Sequence, residues 1–269
     1  MKILTANIAY GFKGMDKFAS SIWHHIHIHG LRILTYEFMP WLGGLGISEA
    51  KRVKYTKKNK HLEPIFTLIE KTLPDILVLN EVVYEVYKDE MEKRLRDLGF
   101  KTTTWGIGGH YPGASISTLI ASKEPSEIIQ CVFPQGKVMG SGAGMAGIRL
   151  NGVSVFGMHL AYRNPDMFNK QIAYIATLAK NERNRGSEVV FVGDWNESEA
   201  VISSNLDFKS IGLISADTQE KLTCPTFLPR FFQKPLDHIF IPAHWKSSNA
   251  STIAFGSDHL ALMVSLSPK

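Results

Sequence analysis

"VVFVGDWNES", residues 189–198, sets four apolar residues against a glycine, an acid, a tryptophan and an amide. A short apolar run bounded by turn residues reads as a buried strand. Its end presents Asp194 and Asn196, two positions apart. The same signature recurs along the chain. Asn7 closes "KILTAN", Glu81 follows "ILVLN", and His159 ends "VSVFGM". Asp237 opens "HIFI", and Asp258 with His259 opens "LALMVSL". One such residue alone is ordinarily a helix cap or a turn former. A set restricted to Asn, Asp, Glu and His at successive strand termini points instead to one sheet rim, where loops make a pocket.

The segments between these strands set the architecture. Leu62, Ile65, Phe66, Ile69 and Leu73 share a helical face that Pro74 ends. Tyr84, Tyr87, Met91, Leu95 and Leu98 mark a second helix closed by Gly99, and Phe168, Ile172, Ile175 and Ala179 a third. Further strands are expected near 100–105 and at "SISTLIAS", "EIIQCVF", "GMAGIRL", "PLDHIFIP" and "SDHLALMVSL". Strands outnumber helices, yet helices separate them early and in the middle. That order predicts an α/β (α+β) protein of two packed sheets flanked by helices, one domain over residues 1–269.

Bulk properties restrict the partners. The chain has 269 residues, 44% of them hydrophobic, enough for a large core. Its formal charge of +5 favours anionic partners without choosing among nucleic acid, phospholipid headgroups and small phosphates. Cys131 and Cys224 allow at most one disulfide and have no metal-site spacing. "MKILTANIAYGF" reads as a strand rather than a secretory signal, and no apolar run is long enough to span a bilayer. A cytoplasmic protein is the resulting expectation.

The chemistry open to such a rim is narrow. Glu and Asp carboxylates are hard oxygen ligands suited to Mg²⁺ or Mn²⁺. An Asp beside a water orients it and accepts its proton. An imidazole hydrogen-bonds a phosphate oxygen, and a carboxylate behind it fixes the tautomer. No G-x-S-x-G elbow and no G-x-x-x-x-G-K-[ST] loop occurs. Direct attack of water on a phosphoester is the reading these residues favour.

In this order the pieces "TANIAYG", "PDILVLNEV", "GMHLAY", "FVGDWNES", "PLDHIFIP" and "GSDHLAL" resemble the endonuclease/exonuclease/phosphatase superfamily, from Asn7 to His259. The resemblance implies a four-layer α/β sandwich, two central β-sheets with helices outside, and an Mg²⁺-dependent phosphoester hydrolase in which Mn²⁺ substitutes. It implies that Glu81 is the principal metal ligand, with Asn7 beside it on metal or phosphate and Asp258 at the metal side. It assigns Asp194 to the attacking water and Asn196 to that water or the scissile phosphate. His159 and His259 would contact the phosphate, and Asp237 would pair with His259. Asn80 stands where the family usually has a Gln before the Glu, a shorter amide whose reach is in question. Abasic-site enzymes usually carry an Asn-containing motif where this chain has "MHLAY", so the resemblance is to the other branches. Those are non-specific deoxyribonucleases, sphingomyelinases and phosphoinositide phosphatases, mostly diesterases. His238 is read as a strand residue only.

One segment departs from the pattern. Residues 11–58 form an atypical insertion that includes the apolar "SIWHHIHIHGLRILTYEFMPWLGGLGIS" and runs into the basic "KRVKYTKKNK". On a strand, His25 and His29 stand about 13 Å apart, too far to share one zinc ion. A lid, or an apolar surface over residues 15–47 that meets lipid or a second subunit, is the better expectation. The basic run suits a phosphate backbone or an anionic membrane. The net charge, and the frequency of nucleases in the fold that the resemblance implies, favour nucleic acid as substrate, with a lipid phosphodiester or phosphoinositide as the alternative. A binding protein that kept the fold without activity is the rival from another class.

Overall fold

Two strand–helix–strand units set the frame, one for each sheet. In the first, β1 (Lys2–Asn7) leads through α1 (Glu63–Thr72) to β2 (Ile76–Val83), which pairs with β1 in parallel. In the second, β7 (Val153–His159) leads through α3 (Pro165–Asn184) to its parallel partner β8 (Glu188–Asp194). A helix returning the chain between parallel strands leaves both strand ends on the same rim. The polar termini of each pair therefore emerge together.

The remaining elements are α2 (Tyr84–Asp97), β3 (Thr102–Gly106), β4 (Ile116–Ser122), β5 (Glu127–Ile129) and β6 (Ala146–Leu150). After β8 come α4 (Glu199–Asn205), β9 (Leu213–Ser215), β10 (Asp237–Pro242), β11 (Lys246–Ile253) and β12 (Ala261–Ser267). One six-stranded sheet has the order β11-β12-β1-β2-β4-β3 and the other β5-β6-β7-β8-β10-β9. This computed structural model describes residues 1–8, 54–55, 57–58, 60–108, 116–135, 142, 144–162, 164–205, 210–217, 221–224 and 234–268.

Three apolar clusters define the layers. Ile3, Ile76, Val78, Val155, Val190 and Ile239 fill the space between the sheets. Leu4, Leu77, Ile65, Phe66 and Met91 join α1 and α2 to the outer face of the first sheet. Phe156, Phe191, Ile172 and Ile175 join α3 to the outer face of the second. Strands covered on both faces read as unbroken apolar runs, which explains "ILVL" and "VVFV". The result is the expected four-layer sandwich.

Local signals account for most element boundaries. Asn164 accepts a hydrogen bond from Met167 N and caps α3, with Pro165 at its first turn. Leu73, expected on the buried face of α1, is instead its left-handed C-cap, with φ 48°, and is 65% exposed. Its N–H closes the helix on Ile69 O before Pro74 stops the chain. The strand expected over "EIIQCVF" ends at Ile129, where pairing with β6 ends, and Val132 N turns away to donate to Tyr174 Oη at 3.1 Å. The elements α4, β9 and β11 lie outside those expected from the sequence. Among the described residues, no helix is long and apolar enough to cross a membrane.

The lid, lipid-contact and histidine expectations for residues 15–47 lie outside the described residues. Of the basic run, Lys60 is paired with Glu90 at 2.5 Å. Cys131 and Cys224 are both free thiols.

Candidate active site

Strand register builds the site before any side chain is considered. On the second sheet His159 lies abreast of Asp194, and Asp194 abreast of Asp237, so three adjacent strands present one residue each. On the first sheet Asn7 lies abreast of Asn80, with Glu81 next. The strand β12 runs antiparallel to β1, which brings the preceding Asp258 and His259 to the same rim. Ser257 Oγ ties that turn to β1 by donating to Asn7 O at 2.7 Å.

Gly193 has φ 140°, and a Cβ there would lie 2.0 Å from Met158 O, so only glycine lets β8 approach β7 this closely. Asp194 then points to the rim. Trp195 turns the other way and is fully buried, edge-on to Phe240 with ring centroids 4.7 Å apart. Burial of such a ring is worth roughly 2–3 kcal/mol and anchors the segment under the sheet. Asn196, at φ 56°, takes the left-handed conformation that asparagine tolerates and returns to the rim. Its N–H donates to Asp194 Oδ1 at 2.8 Å, and its Nδ2 to Leu160 O at 2.9 Å.

Glu81 is held differently. It does not end β2 but lies within it, at φ 57°, where the register against β4 shifts between Leu79 and Val82. A bulge of this kind re-aims a side chain that regular alternation would direct elsewhere. Burial pushes its carboxyl above the usual range, Asp258 adds to that shift, and His159 and His259 oppose it. Asn7 hydrogen-bonds Glu81 as well as Asp194.

The two imidazoles have unlike surroundings. His259 Nδ1 lies 2.8 Å from Asp237 Oδ2, and its Nε2 lies 3.8 Å from Asp194 Oδ2. Burial alone would lower its pKa, but the neighbouring Cys224, Asp237 and Asp194 raise it well above the ordinary value. Burial pushes the Cys224 thiol up to about 12, so at neutral pH the carboxylates supply the charge that holds His259 protonated. His159 Nε2 faces Glu81 at 3.9 Å and Asp194 at 3.7 Å. Its buried Nδ1 has no hydrogen-bond partner among the described residues.

All eight residues singled out from the sequence therefore reach one rim. Glu81, His159 and Asp194 offer ligand atoms within 4.8 Å of one another, and so do Asp194, Asp237 and His259. The carboxylate grouped with Glu81 is thus Asp194, while Asp258 bonds Ser257 Oγ at 3.2 Å and acts on Glu81 through its charge. The Glu81 and Asp194 carboxylates, with ligand atoms within 4.8 Å of each other and of His159, fit a hard divalent cation, which would offset their mutual repulsion. His238 is a strand residue as expected, buried with Nε2 2.9 Å from Glu197 O.

Three supporting residues had escaped the sequence reading. Thr223 Oγ1 accepts from Leu236 N at 3.0 Å and Asp237 N at 3.2 Å. Ser257 Oγ also accepts from His259 N, and Gln171 Oε1 takes Ala161 N at 2.8 Å just beyond His159. Ser257 belongs to the motif "SDH" and was legible there; nothing around Thr223 or Gln171 marks them.

The sequence pattern of the Endonuclease/Exonuclease/phosphatase family matches residues 5–259. No curated protein matches the chain in sequence. Among solved structures, the human Nocturnin catalytic domain with bound sulfate anion superposes with TM-score 0.63 at 16% identity, covering 99% of this chain and 93% of that one. An endonuclease/exonuclease/phosphatase from Beutenbergia cavernae gives TM-score 0.62 at 16% identity, over 99% and 71% of the two chains. D. rerio TDP2 complexed with single strand DNA product gives 0.61 at 13% identity, over 99% and 98%. These likenesses establish a shared fold.

Proposed function

The chain belongs to the endonuclease/exonuclease/phosphatase family, whose members hydrolyse phosphoester bonds, and from that premise we propose that it cleaves phosphodiesters with a directly attacking water. The observation that carries this reading is the meeting of Asn7, Glu81, His159, Asp194, Asn196, Asp237, Asp258 and His259 at the facing ends of two sheets.

Asp194 orients the water and takes its proton. Its carboxylate is fixed from both sides, by Asn7 Nδ2 at 2.9 Å and Asn196 N at 2.8 Å. His259, kept protonated by the carboxylates around it, and His159 hydrogen-bond the non-bridging phosphate oxygens as charge develops on them. The water oxygen forms its bond to phosphorus while the bond to the leaving oxygen breaks. Glu81, with Asn7 beside it and Asp258 acting through its charge, would hold Mg²⁺, or Mn²⁺ in its place. When bound, the cation neutralises phosphate oxygens and steadies the leaving oxyanion.

Nucleic acid is the favoured substrate. The net charge of +5 suits a polyanion, and one relative in fold is described with single strand DNA product. A lipid phosphodiester or phosphoinositide is the second reading, on the apolar character of residues 15–47. The test is turnover of a chromogenic phosphodiester by the wild type, Asp194→Ala and His259→Ala, each with Mg²⁺ or EDTA. Hydrolysis by the wild type with Mg²⁺ alone is expected; equal rates throughout would leave a binding protein. Plasmid DNA, single-stranded RNA and sphingomyelin or phosphoinositide liposomes, compared side by side, then separate the substrates.

A further inference from the structure

We infer that Asn80 is a positioning residue for this site, its amide setting the distance and orientation between Glu81 and Asp194; the inference rests on the roles proposed above for those two carboxylates. Asn80 is fully buried on β2 of the first sheet, and its side chain crosses to the second. Its Nδ2 donates to Met158 O on β7 at 2.9 Å and to Thr118 Oγ1 on β4 at 3.1 Å. Its Oδ1 accepts from Asp194 N at 3.2 Å. Only this orientation of the amide works, because the flipped form sets an NH₂ against the Asp194 N–H and an oxygen against the Met158 carbonyl.

Two features tie these bonds to the site rather than to the core at large. The residue after Asn80 is Glu81, in a left-handed conformation at a register shift. A conformation of that kind persists only where its surroundings over-determine it, and Asn80 is the anchor immediately before it. The residue before Asp194 is Gly193, where a Cβ would stand 3.1 Å from Asn80 Oδ1 and 2.0 Å from Met158 O. The sheets stand here at a separation that an Asn spans. The amide that is one methylene shorter than the family's usual Gln therefore reaches the second sheet here.

The experiment compares Asn80→Ala with Ile120→Val, a cavity variant between the same sheets whose strand partners are Val78 and Thr104. Both lose stability; only Asn80→Ala is expected to lower kcat and calorimetric Mn²⁺ affinity, each by about tenfold to a hundredfold, as outer-shell changes do. KM for the chromogenic diester stays near the wild-type value, since no substrate contact is removed. Should alanine prevent folding, the isosteric Asn80→Asp keeps an acceptor for Asp194 N and loses the donors, and the same losses relative to Ile120→Val are expected. A wild type that turns over diester, with Asn80 variants matching Ile120→Val in kcat and Mn²⁺ affinity, overturns the positioning role alone. A wild type without turnover overturns the hydrolase reading and this inference with it.

Discussion

Asn7 Nδ2 and Asp194 Oδ2, 187 positions apart in the chain, meet at 2.9 Å and join the end of β1 to the end of β8. Asn7 O meanwhile accepts from Ser257 Oγ, so the same residue ties in the turn that carries Asp258 and His259. Three pieces of chain that are remote in sequence are thus fixed to one another at a single buried asparagine, through its side-chain amide and its backbone carbonyl. The other Asp194 oxygen is taken by Asn196 N, which leaves the carboxylate little rotational freedom.

Removing the Asn7 amide should show what that fixation is worth. In Asn7→Ala, Asp194 loses one of its two constraints and Glu81 loses a hydrogen bond. A displacement of about 1 Å in a reacting group costs on the order of a hundredfold in rate. Steady-state kinetics on a chromogenic diester should show kcat reduced on that scale. An unchanged kcat would mean that Asn196 alone suffices to orient Asp194.

The Asp237–His259 pair makes a second, separable prediction. Asp237→Asn keeps the shape of the side chain and removes the charge behind His259 Nδ1. Loss of an oriented, charged partner of this kind costs about a hundredfold or more in kcat. Thr223→Val withdraws the hydroxyl that accepts from Leu236 N and Asp237 N and should give a smaller loss in the same direction. Kinetics of the two variants side by side checks the order; a larger effect from Thr223→Val would reverse the assignment.

Away from the site, Glu182 predicts an acid dependence of stability. It is buried, and accepts from Arg149 at 2.5 Å, Ser154 at 2.6 Å and Arg185 at 3.0 Å. Burial pushes its pKa up, but the Arg149 and Ser154 hydrogen bonds and the arginine charges outweigh burial and lower it. A depressed carboxyl stabilises the fold above the ordinary Glu pKa of about 4.3, and that contribution fades as pH falls through the folded value. Glu182→Gln should cost about 2 kcal/mol near neutrality, with the difference from wild type shrinking in acid. Denaturant titrations at several pH values measure it; a gap that is constant with pH would assign the loss to packing.

How much of this was legible in sequence follows from what each feature depends on. The strands "KILTAN", "ILVL" and "VVFV" declare themselves because burial on both faces demands unbroken apolar runs. Their polar ends mark the rim for the same reason, since a residue such as Asp194 has no other place on a wholly apolar strand. By contrast β11, "KSSNASTI", has mostly exposed or half-buried positions, so nothing in its pattern distinguishes it from a loop. The left-handed Glu81 and the reach of Asn80 depend on how closely two sheets approach, a quantity spread over many residues. Thr223 supports Asp237 through backbone N–H groups, which any short polar side chain in the right loop would satisfy. Asp258 is the instructive case: its motif announces a carboxylate, while its distance from Glu81 relative to Asp194 is set only by the fold.

Cation binding gives the last prediction and separates stability from function. The Glu81 carboxyl is raised by burial, with Asp258 adding repulsion and Asp194 close by. The charged form of Glu81 is therefore disfavoured despite His159 and His259, and a divalent ion bound beside it would relieve that cost. A ligand at a hundred times its dissociation constant stabilises by about 2.7 kcal/mol, which in a chain of this size raises the melting temperature by roughly 5–10 °C. Thermal melts in Mn²⁺ or Mg²⁺ should show that rise, and EDTA should abolish it. Glu81→Gln removes one of the repelling charges, so its melting temperature in EDTA should equal or exceed that of the wild type. The same variant should gain almost nothing from the cation and should hydrolyse no diester. A shift in Glu81→Gln equal to the wild type's would move the binding site away from Glu81, and with it the chemistry argued for this rim.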